Sequence, residues 1–123
     1  MKIQIPFKTP SVNHLYFNYR GHKILTKEAR ALKKDIYKIV DFLDSFNKTF
    51  YKNKLLKVEI EIYEDWYCKN GAVKKKDVAN REKFLIDAIF EALGIDDRFI
   101  WVEIIEKVQS TREEKAIVNI SVI

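Results

Sequence analysis

At 123 residues, 47% of them apolar and 33% charged, the chain is large enough to bury one core as a single domain over residues 1–123, and it is too apolar for disorder. No apolar run approaches the roughly 20 residues that span a bilayer. The start Met1-Lys2-Ile3-Gln4-Ile5-Pro6 has no secretory apolar segment, and the lone Cys68 leaves neither an internal disulfide nor a zinc cluster, so a reduced, cytoplasmic protein without a membrane partner is expected. Net charge is +5 but uneven: residues 1–83 hold 19 Lys/Arg against 10 Asp/Glu, and residues 84–123 hold 4 against 8. A basic half of this kind favours a polyanion, nucleic acid first, with a general bias towards lysine as the equal alternative.

In chain order, Lys2 to Phe7 alternates apolar and polar residues as a half-buried strand. Thr9 to Tyr16 is turn-rich, and Asn18 to His22, with Gly21, forms another turn. Thr26 suits a helix N-cap for a segment running to about Asp44, whose apolar face is Ala29, Leu32, Ile36, Ile39, Val40 and Leu43. Its outer face carries Lys33 and Lys34, which either track a phosphate backbone or are simply solvated. Ser45 to Lys54 is a loop or frayed helix end; Phe46, Phe50 and Tyr51 within it, with Phe42 just before it, either line an interface or finish the core. Leu56 to Tyr63 alternates as an amphipathic strand, and Glu64 to Ala72 reads as an exposed connection whose Trp66 and Tyr67 either stack on bases or cap the core.

The stretch from Lys74 to Asp97 is the centre of the chain. Leu85, Ala88, Ile89, Ala92 and Leu93 keep helical spacing over roughly 79–93, Gly94 stops the helix, and Asn80 or Asp77 can accept from its free N–H groups. Phe99 to Val108 and Lys115 to Val122 then read as two strands joined in an antiparallel hairpin. The order of elements gives an α+β domain, a small mixed sheet packed against two main helices.

Three carboxylates flank the central helix: Asp77 before it, Asp96 and Asp97 after it. A hard divalent cation such as Mg²⁺ takes such ligands, one or two at a time, with water and phosphate completing the shell. A helix of that length spans about 20 Å, so the two ends could converge only if the sheet brings the strand before Lys76 and the strand after Phe99 together. Lys83, one turn into the helix, is placed to neutralise charge on a phosphoryl transition state. Each residue also has a plainer role, as cap, turn or solvated side chain.

The lysine run, Asp77-Val78-Ala79-Asn80, Lys83, Asp87-Ala88, Gly94 and Asp96-Asp97 before an apolar strand resemble the RusA family of Holliday junction resolvases. Pro10-Ser11-Val12-Asn13-His14-Leu15-Tyr16 and Leu25-Thr26-Lys27-Glu28-Ala29 resemble its amino-terminal segments, and the likeness runs from about Ile5 to the end. The resemblance implies a RusA-like fold and a homodimeric endonuclease that uses Mg²⁺ or Mn²⁺ to nick four-way DNA symmetrically. It implies catalytic roles for Asp77, Lys83 and Asp97, and metal binding by Asp77 and Asp97 with Asp96 beside them. For a DNA substrate, contacts are expected from Asn13, Lys33, Lys34, Lys74, Lys75, Lys76 and Arg81. The family pattern is Asp-x-Asp-Asn before the lysine, whereas this chain has Ala79 in place of the second aspartate. Either Asp77 and Asp97, with Asp96 or Glu82, still hold the ion, or the protein binds junctions with a weakened site. A non-catalytic nucleic-acid-binding module is the alternative, and a small interaction protein with an aromatic interface is a third.

Overall fold

The structure, a computed structural model, describes residues 1–43 and 45–123, the side chains of 45–47 excepted. Four strands make the main sheet: β1 (Lys2–Ile5), β4 (Leu56–Glu64), β5 (Ile100–Gln109) and β6 (Lys115–Val122). Two more, β2 (Tyr16–Tyr19) and β3 (His22–Leu25), form a separate hairpin where only a turn over Asn18 to His22 is expected; the turn itself is Arg20-Gly21, and Asn18, Tyr19 and His22 pair in the strands. Helices α1 (Lys27–Asp41) and α3 (Ala79–Leu93) pack on each other and supply buried residues to the same core as the sheet, while a short α2 (Ser45–Phe50) occupies part of the segment read as loop or frayed helix. The α+β expectation with a mixed sheet and two main helices holds.

Alternation explains the core. Leu56, Val58, Ile60 and Ile62 of β4 are buried, as are Ile3 and Ile5 of β1, Ala116, Val118 and Ile120 of β6, and Ile36, Val40, Leu85, Ile89 and Leu93 of the helices. Thr26 caps α1, its hydroxyl accepting from the Ala29 N–H at 3.2 Å, and Gly94 ends α3 in the left-handed region at φ 69°. The start of α3 differs from expectation, since no side chain caps it and the Asn80 N–H donates instead to the Asp77 carbonyl. Phe42 is fully exposed, Tyr51 packs at the core's rim and accepts from the amino terminus, and the Phe46 side chain lies outside the described residues. Among the described residues no helix is long and apolar enough to cross a membrane.

The expected β5–β6 hairpin is corrected. The sheet order is β1-β6-β4-β5, so β4 lies between them, parallel to β5 and antiparallel to β6. The physical reason is burial. Ala116-Ile117-Val118 is apolar on both faces and suits an interior strand, whereas β5, carrying Glu103, Glu106 and Lys107, suits an edge. Residues 110–114 therefore cross the end of β4, where the Ser110 N–H donates to the Glu64 carbonyl at 3.0 Å.

The connection from Glu64 to Ala72 is also only partly exposed. Tyr67 is open, but Trp66 is buried, its indole N–H donating to the Ile62 carbonyl at 3.1 Å.

Candidate active site

The chain leaves β4, makes a short loop pinned by the Lys74 N–H to the Trp66 carbonyl at 2.8 Å, and enters α3 through Lys74, Lys75, Lys76 and Asp77. The turn at Val12–His14 packs against α3 from the other side. Between them lies an open cleft of about 890 Å³. Lys8, the three consecutive lysines, Arg81 and Lys107 line it, and Asp77 is the single carboxylate among them. Asn13 and Asn80 add neutral hydrogen-bonding groups. The cations and the positive end of the α3 dipole both favour a phosphate here.

The floor of the cleft rests on a buried ion pair. Glu64, at the end of β4, is 2% exposed, and Arg81, in the first turn of α3, is 5% exposed. The Arg81 guanidinium lies 3.1 Å from a Glu64 carboxylate oxygen and donates to the Thr9 carbonyl. Lys8 and Lys76 approach the same carboxylate at 3.7 and 3.6 Å. One carboxylate thereby ties together β4, the loop after β1 and the helix that follows Asp77. Arg81 is thus committed to protein groups, although it lines the cleft.

Along another flank of α3, from Glu82 in its first turn to Asp97 beyond its last, the charges reverse. Asp97 borders a hollow of about 350 Å³ with Glu82, Trp101 and Glu103. Burial, and then a hydrogen bond with Glu82, push the Glu103 carboxyl up to about 7. Asp96 takes the plainer of its two roles, its carboxylate accepting from the Arg98 N–H at 2.9 Å to cap the short 3-10 turn Asp97–Phe99.

Asp77 and Asp97 therefore stand in different places within one chain. Parallel pairing explains this: the end of β4 and the start of β5 lie at opposite ends of the sheet, so the strands that flank α3 cannot bring its two ends together. Fifteen residues of helix add about 22 Å between them. Among the described residues, no group of three or more His, Cys, Asp or Glu side chains is gathered as a metal site.

The remaining expected residues scatter. Lys83 is half exposed and pairs with Asp87 at 3.1 Å, which raises its pKa. Lys33 pairs with Glu91 at 2.8 Å beside the Tyr37 hydroxyl, and neither Lys33 nor Lys34 lines the cleft.

Residues 6–121 match the model of the endodeoxyribonuclease RusA family. The chain belongs to that family. No curated protein matches it. Seen as a RusA endodeoxyribonuclease, its Asp77-Val78-Ala79-Asn80 segment enters the basic cleft and its Asp96-Asp97 pair lies at the far end of α3. Sequence reading missed Glu64, Lys8, Lys107 and Glu103. Glu64 was legible in principle, because it continues the buried phase Leu56, Val58, Ile60, Ile62 by one more step of two.

Proposed function

We propose that this RusA protein is a divalent-metal-dependent endonuclease that nicks four-way DNA junctions symmetrically and works as a homodimer. Family membership over residues 6–121, joined to a basic cleft holding a single carboxylate, carries this reading. Lysines 74–76 and the start of α3 hold the phosphate backbone, Asp77 gives the metal an oxygen ligand, and Lys83 neutralises charge developing on the phosphate. The ion, Mg²⁺ or Mn²⁺, when bound, activates a water and stabilises the leaving oxygen.

Asp77 and Asp97 fit a hard cation by chemistry but are separated by the length of α3. A second copy removes that obstacle. Among the described residues nothing pairs with the outer edge of β5, and Trp101, Val102 and Ile104 are exposed along it. A two-fold antiparallel pairing of this edge with its counterpart sets the start of one β5, beside Asp97, against the end of the other, where Lys107 lines the Asp77 cleft. In this reading Asp77 of one protomer and Asp97 of its partner would hold the ion, and Asp96 stays a cap.

Ala79 favours a second reading, a junction binder with a weakened site. A cleavage assay on a synthetic four-way junction, with Mg²⁺ or chelator, separates the two. Paired nicks that need metal, vanish in Asp77→Asn and slow in Lys83→Ala are expected. Tight binding with nicks only in Ala79→Asp would establish the binder instead.

A further inference from the structure

The hairpin Tyr16–Leu25 is the one strand pair that stands outside the main sheet among the described residues. Its tight turn is Arg20-Gly21, both at positive φ (50° and 78°), the backbone that two-residue hairpin loops require. Register divides its side chains between two faces. Tyr16 opposite Leu25, and Asn18 opposite Lys23, share one face; Phe17 opposite Ile24, and Tyr19 opposite His22, share the other. Tyr16 and Leu25 pack onto the core and fix the hairpin's base. The second face therefore turns away from the core with its aromatic side chains uncovered: Phe17 is 45% exposed, Tyr19 is 52% exposed, and His22 is also open.

The electrostatic setting narrows what can cover that face. Residues 1–27 contain no Asp or Glu, and Lys23 and Arg20 sit on the hairpin itself. The Arg20 guanidinium lies 5.2 Å from the Tyr19 ring centroid, a cation held at the edge of an aromatic surface. The carboxylates near the hairpin, Asp87 and Glu91, share a small pocket with Tyr16 and Leu25 at its base, on the face opposite Phe17 and Tyr19. An uncovered aromatic ribbon with cations on it suits a polyanion that also offers flat apolar rings. Unstacked nucleotide bases meet both demands.

The hairpin also sits next to the candidate cleft. It follows directly on Asn13 and His14, which line the cleft. Its base is tied down by the Thr26 N–H to the Leu15 carbonyl at 2.8 Å and the Thr26 hydroxyl to the His14 carbonyl at 3.2 Å. A strand whose phosphates lie in the cleft would present its neighbouring bases to the hairpin. In continuous duplex those bases are stacked inside the helix and out of reach, while at a branch point unstacking costs least.

We propose that the Tyr16–Leu25 hairpin reads the branch point, with Phe17 and Tyr19 stacking on bases unstacked at the strand exchange while Arg20 and Lys23 hold flanking phosphates. This rests on the endonuclease reading and adds the feature that makes it structure-selective. Both rings are exposed, so their truncation leaves the fold intact, as thermal unfolding would verify.

The test uses a four-way junction and a linear duplex of equal length, each carrying 2-aminopurine, at the strand exchange in the junction. Wild type, Phe17→Ala/Tyr19→Ala and Tyr19→Trp are titrated at fixed salt. For the double variant, junction affinity should fall about tenfold per ring lost, duplex affinity should hold, and the fluorescence change at the branch should disappear. Tyr19→Trp should retain both. A wild type that binds and cuts junctions, with a double variant that matches it in affinity and fluorescence, overturns the hairpin's role and leaves the nuclease reading standing. A double variant that elutes as monomer where wild type is dimeric overturns it too, assigning the face to a second copy. A wild type that neither binds nor cuts either DNA overturns both readings.

Discussion

The two ends of α3 are opposites. Its first turn opens into a cleft of lysines around one aspartate, braced from below by a buried Glu64–Arg81 pair. Its last turn has no basic residue and runs into exposed Asp96 and Asp97, and the hollow beside Asp97 reaches back along the helix to Glu82 in the first turn and across to Glu103 of β5. Cations gathered at the positive end of a helix and carboxylates at its negative end both run against the helix dipole. Glu64 answers part of the basic cluster, and the endonuclease reading proposed above would answer the rest, with phosphate at one end and a cation at the other. A divalent ion on DNA supplies both, provided the two ends meet across a dimer.

The sharpest way to break this comparison is to inactivate the ends separately. Asp77→Asn and Asp97→Asn should each lower junction cleavage at least about 100-fold, more than loss of an outer-shell partner typically costs. Mixing the two inactive proteins then distinguishes shared from self-contained sites. If each site takes Asp77 from one protomer and Asp97 from the other, a mixed dimer carries one intact pair, and roughly a quarter of wild-type sites should return after subunit exchange. Two inactive proteins that stay inactive when mixed, with exchange verified, would return both carboxylates to separate duties.

The basic end can be tested for its foundation. Glu64 and Arg81 are both nearly fully buried, and removing one member of such a pair strands the other without a counter-charge. Glu64→Ala should destabilise the protein by about 3 kcal/mol in urea denaturation, while Glu64→Leu with Arg81→Met should recover most of that loss. Equal losses in the single and double variants would mean that packing around the pair, rather than its charges, holds the cleft together.

How much of this was legible in the sequence depends on how local the cause is. The limits of α3 follow from apolar spacing and one glycine, and the Thr26 cap from a single side chain and its third neighbour; both are decided within a few residues, and both agree with the structure. The strand order is decided by a crossover. Nothing within residues 99–122 says that β4 will separate two strands joined by a five-residue connection, although the unbroken apolar run of β6 hinted at an interior place. The Glu64–Arg81 pair joins residues 17 positions apart, and its first member was hidden by ending the strand one residue early, at Tyr63. Asp77 and Asp97 were legible as residue types, but their separation depends on the parallel pairing of β4 and β5.

The acidic end allows the smallest but most specific test, a dependence of stability on pH. Glu103 has an ordinary value of 4.5 and is pushed up to about 7, first by burial and then by its hydrogen bond to Glu82. Between those values the folded protein binds a proton that the unfolded chain releases, so stability falls as pH rises from about 4.5 through about 7. Because the carboxyl is only partly covered, solvent screening reduces the effect to about 1 kcal/mol. Glu103→Gln should flatten this slope and leave the protein more stable than wild type at pH 8, as denaturation midpoints across pH 5–8 would record. Repeating the series with Mg²⁺ sharpens the comparison of the two ends. An ion bound beside Asp97 neutralises the same repulsion, so metal should stabilise wild type more at pH 8 than at pH 5, and a metal response independent of pH would move the ion away from this end of the helix.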